Sequence, residues 1–243
     1  MQAARSLPQL LLGLVALAIA LVLTGVFVAD SVRDAKRSGD TITVTGSAKQ
    51  AITADLVTWS LSVSAQDVDP AVASRRLQAD ARQVREFLRE SLPESALREP
   101  PVSTEQIEQT LPNRRKVTAY RLTQSFEVNT KEIDKVEAAA GKVSRLLDQG
   151  VPVSAYALAY VSTQLTEARV EALRRATEDA QNRAETIVEG IGGSLGGARS
   201  AELGVYQVTP RNSTDVSDYG INDTSTREKD VTAVVSVTFA LDD

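Results

Sequence analysis

The sequence predicts an α+β protein in which helices pack on one face of a mostly antiparallel sheet, preceded by a transmembrane helix. Three observations predict it. An uncharged apolar run occupies residues 6–29, strands with two-residue hydrophobic alternation are interleaved with two helical segments, and a long alanine-rich helix and two further strands complete the chain. The order strand, helix, strand, strand, helix, strand is that of a split βαβ, or ferredoxin-like, core.

The apolar run at residues 6–29 is long enough to cross a bilayer, because about 20 residues rising about 1.5 Å each span a hydrocarbon core of about 30 Å. A cleaved signal peptide has a shorter apolar core of about 7–15 residues that ends in small residues. The Ala-Ile-Ala triplet 18–20 lies inside the run, and Phe27 occupies a position at its end that should hold a small residue. We therefore expect an uncleaved signal anchor over residues 1–29, which contacts the membrane through residues 7–29.

The rest of the chain divides into a polar linker, residues 30–40, and one domain, residues 41–243. The charges beside the apolar run conflict over its orientation. Counting bases places the domain inside the cell. Acids interleave with those bases, however, and a folded domain after one early apolar segment is usually exported, so we expect the domain outside the cytoplasm. The bases are Arg33, Lys36 and Arg37, and the interleaved acids are Asp30 and Asp34.

The domain begins with two predicted strands and a helix. Residues 41–48 and 55–66 alternate between apolar and polar side chains, which is typical of half-buried strands. Asp69 followed by Pro70 is the favoured order of an N-cap and a first helical residue, and Pro93 lies just beyond the predicted end. The inward residues are Ile42, Val44, Val57, Trp59, Leu61, Val63 and Ala65 in the strands and Ala73, Leu77, Val84, Phe87 and Leu88 in the helix.

A hairpin is predicted next. Residues 102–110 and 117–129 are the strands, and residues 111–116 form the turn between them. The turn carries the basic cluster Arg114, Arg115 and Lys116. A contact with an anionic partner or lipid headgroups is one interpretation of this cluster, and an exposed charged turn is the favoured one.

The second helix and its strand follow. Asn129, with Glu132 three residues on, predicts the helix start, and Gly150 suits the position just after the helix end. Residues 153–165 are apolar on both faces, which predicts a central strand. The apolar stripe of the helix is Ile133, Val136, Ala140, Val143 and Leu147.

The longest helix is predicted over residues 166–191. Alanines recur in it every fourth residue, and such a stripe of methyl groups lets a helix approach its partner closely. Strands at residues 200–209 and 230–241 end the chain, separated by the long polar loop 210–230. The alanines are Ala168, Ala172, Ala176, Ala180 and Ala184, and Leu173, Ile187 and Ile191 are expected to widen the stripe.

The glycine-rich stretch EGIGGSLGGARS, residues 189–200, raises the question of a nucleotide site. A dinucleotide loop follows a strand and opens a helix, so that the positive helix end meets the phosphate. Here the glycines follow a helix and lead into a strand, and Leu195 stands where the motif needs glycine. Gly192 and Gly193 are therefore predicted to take positive φ and end the helix.

The composition argues against most enzyme chemistry. The chain has neither cysteine nor histidine, which excludes thiol nucleophiles, Ser-His-Asp triads and zinc sites of the usual kind. A net charge of −5 gives no overall attraction to nucleic acid. The loop acids Asp215, Asp218, Asp223 and Asp230 lack the spacing of a calcium loop and are interpreted as solvated. No catalytic, cofactor-binding or metal-binding residue is predicted, and no cofactor.

Three stretches resemble one known family: ITVTGSA with ADLVTWSLSVSAQ, TAYRLTQSFEVN, and ARVEALRRATEDAQNRAETIVEGIGGSLGGARSAEL. They are similar to the SIMPL domains of bacterial envelope proteins, whose kin include oxidative-stress-defence proteins and immunogenic periplasmic proteins. The resemblance runs over residues 41–241. It implies a secreted or periplasmic α+β domain, no established catalytic site and, in some members, ring- or cage-like homo-oligomers. Together with the predicted anchor, it leads us to expect a single-pass protein of the bacterial inner membrane with its domain in the periplasm.

Three classes of function remain. The first is a membrane-tethered, self-assembling envelope scaffold with a stress-protective role. We favour it because of the alanine stripe, the strand that is apolar on both faces and the anchor, since tethering raises local concentration and favours assembly. The second is a binding or chaperone-like module that holds a partner protein or lipid. The third, an enzyme, is disfavoured by the residue inventory.

Overall fold

The computed structural model describes residues 40–110, 112 and 114–242. The predicted signal anchor and the linker up to residue 39 lie outside this range. Within it, no helix is both long and apolar enough to cross a membrane. The chain forms two compact units: unit 1 contains residues 40–48, 173–204 and 234–242, and unit 2 contains residues 49–172 and 205–233.

The described elements confirm the α+β class. In chain order they are β1 Thr41–Thr53, β2 Leu56–Asp67, α1 Pro70–Ser91, a 3-10 turn Glu94–Ala96, β3 Leu97–Arg98, β4 Ser103–Thr110, β5 Lys116–Thr130, α2 Ile133–Ala140, α3 Ser144–Asp148, β6 Val153–Ala155, β7 Ala159–Val161, α4 Leu165–Gly190, β8 Ser194–Leu203, β9 Gln207–Pro210, β10 Ile221–Asn222 and β11 Glu228–Asp242.

Unit 2 is built on an antiparallel sheet whose order agrees with a split βαβ core. β5 and β2 are central; β3 and β4 pair with the outer side of β5, and β6 and β7 pair with the outer side of β2. The helices α1 and α2 cover one face of this sheet. Their apolar stripes and the inward side chains of β2 and β5 form one buried cluster that includes Trp59, Phe126 and Leu88.

The start of α1 follows the sequence prediction. The Asp69 side chain accepts a hydrogen bond from the Ala71 N–H at 2.8 Å, and Pro70 is the first helical residue. This cap satisfies one of the N–H groups that a helix start leaves unpaired. Gly150 has φ +85°, and the N–H of Val151 bonds to the Leu146 carbonyl, as expected for a glycine that ends a helix.

The predicted second helix is broken in two, which shifts its buried face by one residue. A turn at residues 141–143 separates α2 from α3. Ala139 and Leu146 are buried, whereas Ala140 is half-buried and Leu147 is 55% exposed. The predicted cap is wrong as well, because Asn129 still belongs to β5; the Thr130 hydroxyl accepts the Glu132 N–H instead.

The prediction of a central strand at residues 153–165 is wrong. The segment forms the short strands β6 and β7 on the outer side of β2, and Tyr156 between them is 64% exposed. Apolar side chains on both faces are typical of a central strand. Here the backbone leaves the sheet between β6 and β7, so the second face is exposed.

Unit 1 packs the C-terminal part of α4 on the first part of β1. Ala176, Ala180 and Ala184 are fully buried, as predicted, and Ala168 and Ala172 continue the stripe in unit 2. Leu173 is half-buried. The stripe ends differently from the prediction, since Ile187 and Ile191 are 48% and 71% exposed. Val188 is buried in their place, because it continues the four-residue spacing of the alanines.

The glycine-rich stretch ends α4, as the sequence predicts. Gly192 has φ +82°; its N–H bonds to the Glu189 carbonyl and the N–H of Gly193 bonds to the Val188 carbonyl. This pair of bonds is the Schellman motif, which needs only one residue in the left-handed region. The expectation of positive φ at Gly193 is therefore wrong, because Gly192 alone supplies it.

The last strands are more numerous than predicted. The single strand expected at residues 200–209 is divided into β8 and β9, and β10 lies within the predicted loop. In unit 1, β11 pairs with β1 and with β8; in unit 2, its first residues pair with β9, and β10 runs parallel to β9. β8 holds extra residues opposite Phe239, and beyond this bulge Ala240 rather than Leu241 is buried.

Candidate functional site

A small, partly enclosed cavity in unit 2 brings several polar side chains together. Its volume is about 60 Å³, and its walls come from β1, β7, the start of α4, β9 and the segment from β10 to β11. Binding pockets for organic ligands are several times larger, about 300–1,000 Å³. A water occupies about 30 Å³ of liquid, so this cavity holds about two waters. The lining residues are Ile52, Tyr160, Val161, Ser162, Leu165, Val208, Asn222, Asp223, Thr224 and Lys229.

A buried ion pair forms one wall of this cavity. The Nζ of Lys229 lies 2.9 Å from Oδ2 of Asp223, and the two side chains are 3% and 11% exposed. The same carboxylate accepts bonds from the hydroxyls and N–H groups of Ser225 and Thr226. Burial opposes ionisation of Asp223, but the bonds from Lys229, Ser225 and Thr226 outweigh it and hold its pKa well below the usual range.

Paired side chains surround the cavity. Tyr160 donates its hydroxyl to Glu137 at 2.8 Å, and burial together with this carboxylate raises the pKa of Tyr160 to about 12. Asp55 accepts the hydroxyl and the N–H of Thr163, which lower the pKa of Asp55. A tyrosine with a raised pKa and a carboxylate with a lowered one are poor proton-transfer groups near neutral pH, so these residues fix loops rather than move protons.

The chemistry available at this cavity is therefore limited. Its ionised groups neutralise one another, and a hydrogen-bonded carboxylate with a depressed pKa is a weak base. The described residues contain no cluster of three or more potential metal ligands. The arrangement ties the segment after β10 to β11 through Asp223 and Lys229.

Sequence reasoning missed Lys229, although a signal was present. Lys229 has the same parity in β11 as Val231, Ala233 and Val235, so strict alternation places its side chain inward. An inward lysine needs a buried partner. Nothing in the sequence indicates that Asp223 rather than another loop acid is that partner.

The four loop acids weighed as a cation site are not brought together. Asp223 pairs with Lys229, Asp230 is buried and accepts the Asn212 N–H at 3.1 Å, and Asp215 bonds to Ser213. Asp218 is exposed. The interpretation of all four as solvated is thus wrong for Asp223 and Asp230, which are held by buried bonds.

The basic cluster and Trp59, the other residues considered from the sequence, both contribute to the fold. The basic cluster lies at the turn between β4 and β5, where Lys116 pairs with Glu108 at 2.7 Å. Trp59 is 1% exposed and donates its ring N–H to the Tyr156 carbonyl at 3.1 Å. It is a core residue, as predicted from its strand face.

In unit 1 a charged pair on α4 occupies the outer edge of β1. Oδ2 of Asp179 accepts the Ser47 N–H at 2.9 Å, and Arg183 donates to the Thr45 carbonyl at 3.5 Å. Arg183 also pairs with Asp179 at 2.9 Å. The bond from Ser47, followed by Arg183, lowers the pKa of Asp179. The two side chains thus replace the peptide groups of a neighbouring strand and block strand addition at this point.

The described residues form an α+β domain, as the sequence predicts. Comparison with known families gives it a place: residues 42–239 match the model of the SIMPL family, described as a protein of unknown function (DUF541). The chain belongs to the SIMPL family. The resemblance seen in the sequence is thereby confirmed.

Other comparisons add little. No curated protein matches the chain. The crystal structure of the ligand-free regulatory subunit of aspartate kinase from Thermus thermophilus aligns with 79% of this chain and 88% of its own, at 13% identity and a TM-score of 0.20. A putative amidohydrolase/peptidase from Burkholderia cenocepacia aligns with 57% of this chain and 36% of its own, at 16% identity and a TM-score of 0.18. Scores this low carry no argument about fold or function.

Proposed function

We propose that the protein is a single-pass inner-membrane protein of the bacterial envelope whose SIMPL domain lies in the periplasm and works by self-association rather than by catalysis. The observation that carries this proposal is that the charged groups at the cavity of unit 2 pair with one another. Its cavity of about 60 Å³ admits about two waters, and Lys229 and Asp223 neutralise each other in its wall. A domain with this paired site is better suited to binding other copies of the chain than to catalysis.

The tether supports self-association. The apolar run at residues 6–29 confines copies to one membrane, and confinement raises their effective concentration for one another. Exposed apolar side chains provide contact surface: Val216 and Tyr219 in unit 2 and Ile191 in unit 1 are 81%, 98% and 71% exposed. The stress-protective role implied by the resemblance stays part of this proposal, as a mechanical contribution of the assembled domain to the envelope.

The alanine stripe no longer supports assembly between copies. Ala176, Ala180 and Ala184 are fully buried within unit 1, so they are not available to a second copy. The contact surface has to come from other residues.

A binding module for a partner protein is the second candidate, and the outer edge of β4 favours it. Residues 103–110 pair with β5 on one side only, among the described strands, and most of their side chains are exposed. An open edge accepts an extended segment by strand addition. Glu105 and Glu108 on this strand pair with Arg121 and Lys116 of β5, so the edge offers its backbone groups rather than unpaired charge.

Sedimentation equilibrium of the full chain in density-matched detergent separates these candidates. Self-association predicts a mass that rises with protein concentration above the single-chain mass of 26.0 kDa. A single-chain mass at every concentration refutes the proposal. Copurification of one partner at equal stoichiometry, without self-association, establishes the binding module instead.

A further inference from the structure

The loop before β10 presents large apolar side chains to solvent. Val216 is 81% exposed and Tyr219 is 98% exposed. Val205, 45% exposed, lies beside Gly220, the residue after Tyr219, since a Cβ built on Gly220 would be 3.8 Å from the Val205 Cβ and 2.8 Å from the Tyr206 carbonyl oxygen. We name Val205, Val216 and Tyr219 the Tyr219 surface.

This loop is held in place rather than loosely attached. Gln207 is buried and donates its Nε2 to the Ser217 carbonyl at 2.7 Å, and the same carbonyl accepts the Gly220 N–H at 3.0 Å. Gly220 has φ +81°, a conformation that glycine adopts without strain. A side chain displayed on a fixed backbone loses little entropy when it is buried at an interface, so the Tyr219 surface is pre-organised for contact.

Two charged side chains lie next to residues of this surface in sequence or by contact: Asp218 precedes Tyr219, and Arg169 contacts Tyr206, the residue after Val205. The Arg169 guanidinium lies over the Tyr206 ring at 5.8 Å, and its buried Nε has no hydrogen-bond acceptor. Among the described residues, no carboxylate forms an ion pair with Arg169, and Asp218 in the exposed loop has no cationic partner. One copy therefore offers both a free cation beside Tyr206 and a free anion beside Tyr219.

The charges near the Tyr219 surface favour a second copy of the chain over a membrane as its binding partner. Asp215 and Asp218 flank the exposed tyrosine, and acidic groups repel the anionic headgroups of a membrane surface. A second copy of the chain presents the complementary base, Arg169. Tyrosine and arginine are also the side chains that most often dominate the binding energy of protein interfaces.

We infer that two copies meet through the Tyr219 surface across a two-fold axis, with Asp218 of each copy paired to Arg169 of the other. A two-fold interface repeats each contact in both directions, so one surface that carries both charges is self-complementary. The inference rests on the proposed self-association and names the surface through which it takes place.

Cysteine cross-linking tests the geometry, because the chain has no cysteine of its own. Tyr219→Cys is expected to give a covalent dimer when membranes containing the full chain are oxidised with copper phenanthroline. Tyr156→Cys is the matched control, a tyrosine 64% exposed elsewhere in unit 2, and is expected to stay monomeric. Equal yields from the two variants, or no dimer from Tyr219→Cys, overturn the inference.

A charge exchange tests the ion pair. In the Tyr219→Cys background, Arg169→Asp or Asp218→Arg places like charges opposite each other, and the dimer yield is expected to fall about tenfold. The combined Arg169→Asp and Asp218→Arg variant restores opposite charges and is expected to restore the yield, which a folding defect does not do. Low yield in the combined variant overturns the pairing. Failure of cross-linking while the wild-type chain still self-associates in sedimentation rejects this surface alone, and a wild-type monomer rejects the proposed function with it.

Discussion

Gly46 lies so close to α4 that a Cβ on it would be 2.2 Å from the carbonyl oxygen of Ala176. The same atom would be 2.4 Å from the backbone nitrogen of Ala180. Both neighbours are backbone atoms, which cannot turn away as a flexible side chain can. The alanine stripe and this glycine together permit the closest approach of strand and helix in unit 1.

Gly46→Ala is therefore expected to destabilise the domain by about 3 kcal/mol or more, the upper part of the range for overpacked cores. Urea unfolding of the full chain in detergent, followed by circular dichroism, measures the change. Gly197→Ala is the matched control in the same unit. No atom lies within 4 Å of its new Cβ, so a change below about 0.5 kcal/mol is expected. Equal effects of the two substitutions contradict the close approach.

Ala180→Leu tests the same contact from the helix. Ala180 is fully buried against β1, and a leucine there has to displace the helix, at a cost of about 1–3 kcal/mol. Ala138→Leu on the exposed face of α2 is the control and is expected to leave the melting temperature unchanged. An unchanged melting temperature for Ala180→Leu shows that α4 is not closely packed there.

Much of this packing could be predicted from local pattern. The alternation in β2, the cap at Asp69 and the helix ends at Gly150 and Gly192 follow from side-chain spacing and backbone freedom, which act over a few residues. The pairing of β1 with β11 joins opposite ends of the chain, and nothing local specifies it. The same holds for Gly46, whose need for glycine comes from a helix more than a hundred residues away.

Acid should weaken the protein partly through Asp223. Because the folded-state pKa of Asp223 is lowered, its stabilising contribution is complete above the unfolded pKa of about 3.9 and is lost as the pH falls toward the folded value. Asp223→Asn removes this term, so the variant should be less stable at neutral pH. Its urea midpoint should then fall less than that of the wild type between pH 5 and pH 3, about the range where carboxylates protonate.

The variant should keep a residual slope, since Asp55, Glu99 and Asp179 also have lowered pKa values. Two curves that converge toward acid pH support the assignment. If the urea midpoints of the two proteins fall in parallel from pH 5 to pH 3, Asp223 does not contribute to acid sensitivity. That result contradicts the lowered pKa assigned to Asp223 in the folded state.

Asp179→Ala should destabilise unit 1 by about 1–2 kcal/mol, because the substitution removes the charged acceptor of the Ser47 N–H. It also opens the edge of β1 and should promote aggregation. Glu178→Ala is a control on the same helix. Glu178 pairs with Arg174 on an exposed face, so its loss should cost about 0.5 kcal/mol or less. Unfolding curves that do not separate the two variants refute the role given to Asp179.

The candidate site was less predictable than the fold. The position of the glycine-rich stretch after a helix correctly predicted a helix end at Gly192. Asp223, directly after β10, and Lys229, in β11, meet because β10 and β11 both pair with β9. The loop acids look alike in sequence, and bonds from Ser225, Thr226 and the inward Lys229 distinguish Asp223 from the exposed Asp218.

The periplasmic location of the domain is testable with the Tyr156→Cys variant. A membrane-impermeant maleimide added to intact spheroplasts should label this cysteine, because Tyr156 is exposed and the proposed function places the domain outside the inner membrane. The cysteine-free parent chain controls for labelling of other groups. Labelling that appears only after the membrane is lysed places the domain in the cytoplasm instead.

Electron microscopy of the purified full-length particle tests the central claim most directly, namely that the tethered domain works as an assembly of copies. The account predicts symmetric particles of several 26.0 kDa chains, with the detergent belt on the side of the predicted anchors. Particles that contain one chain each, at concentrations up to those reached in a membrane, would contradict it.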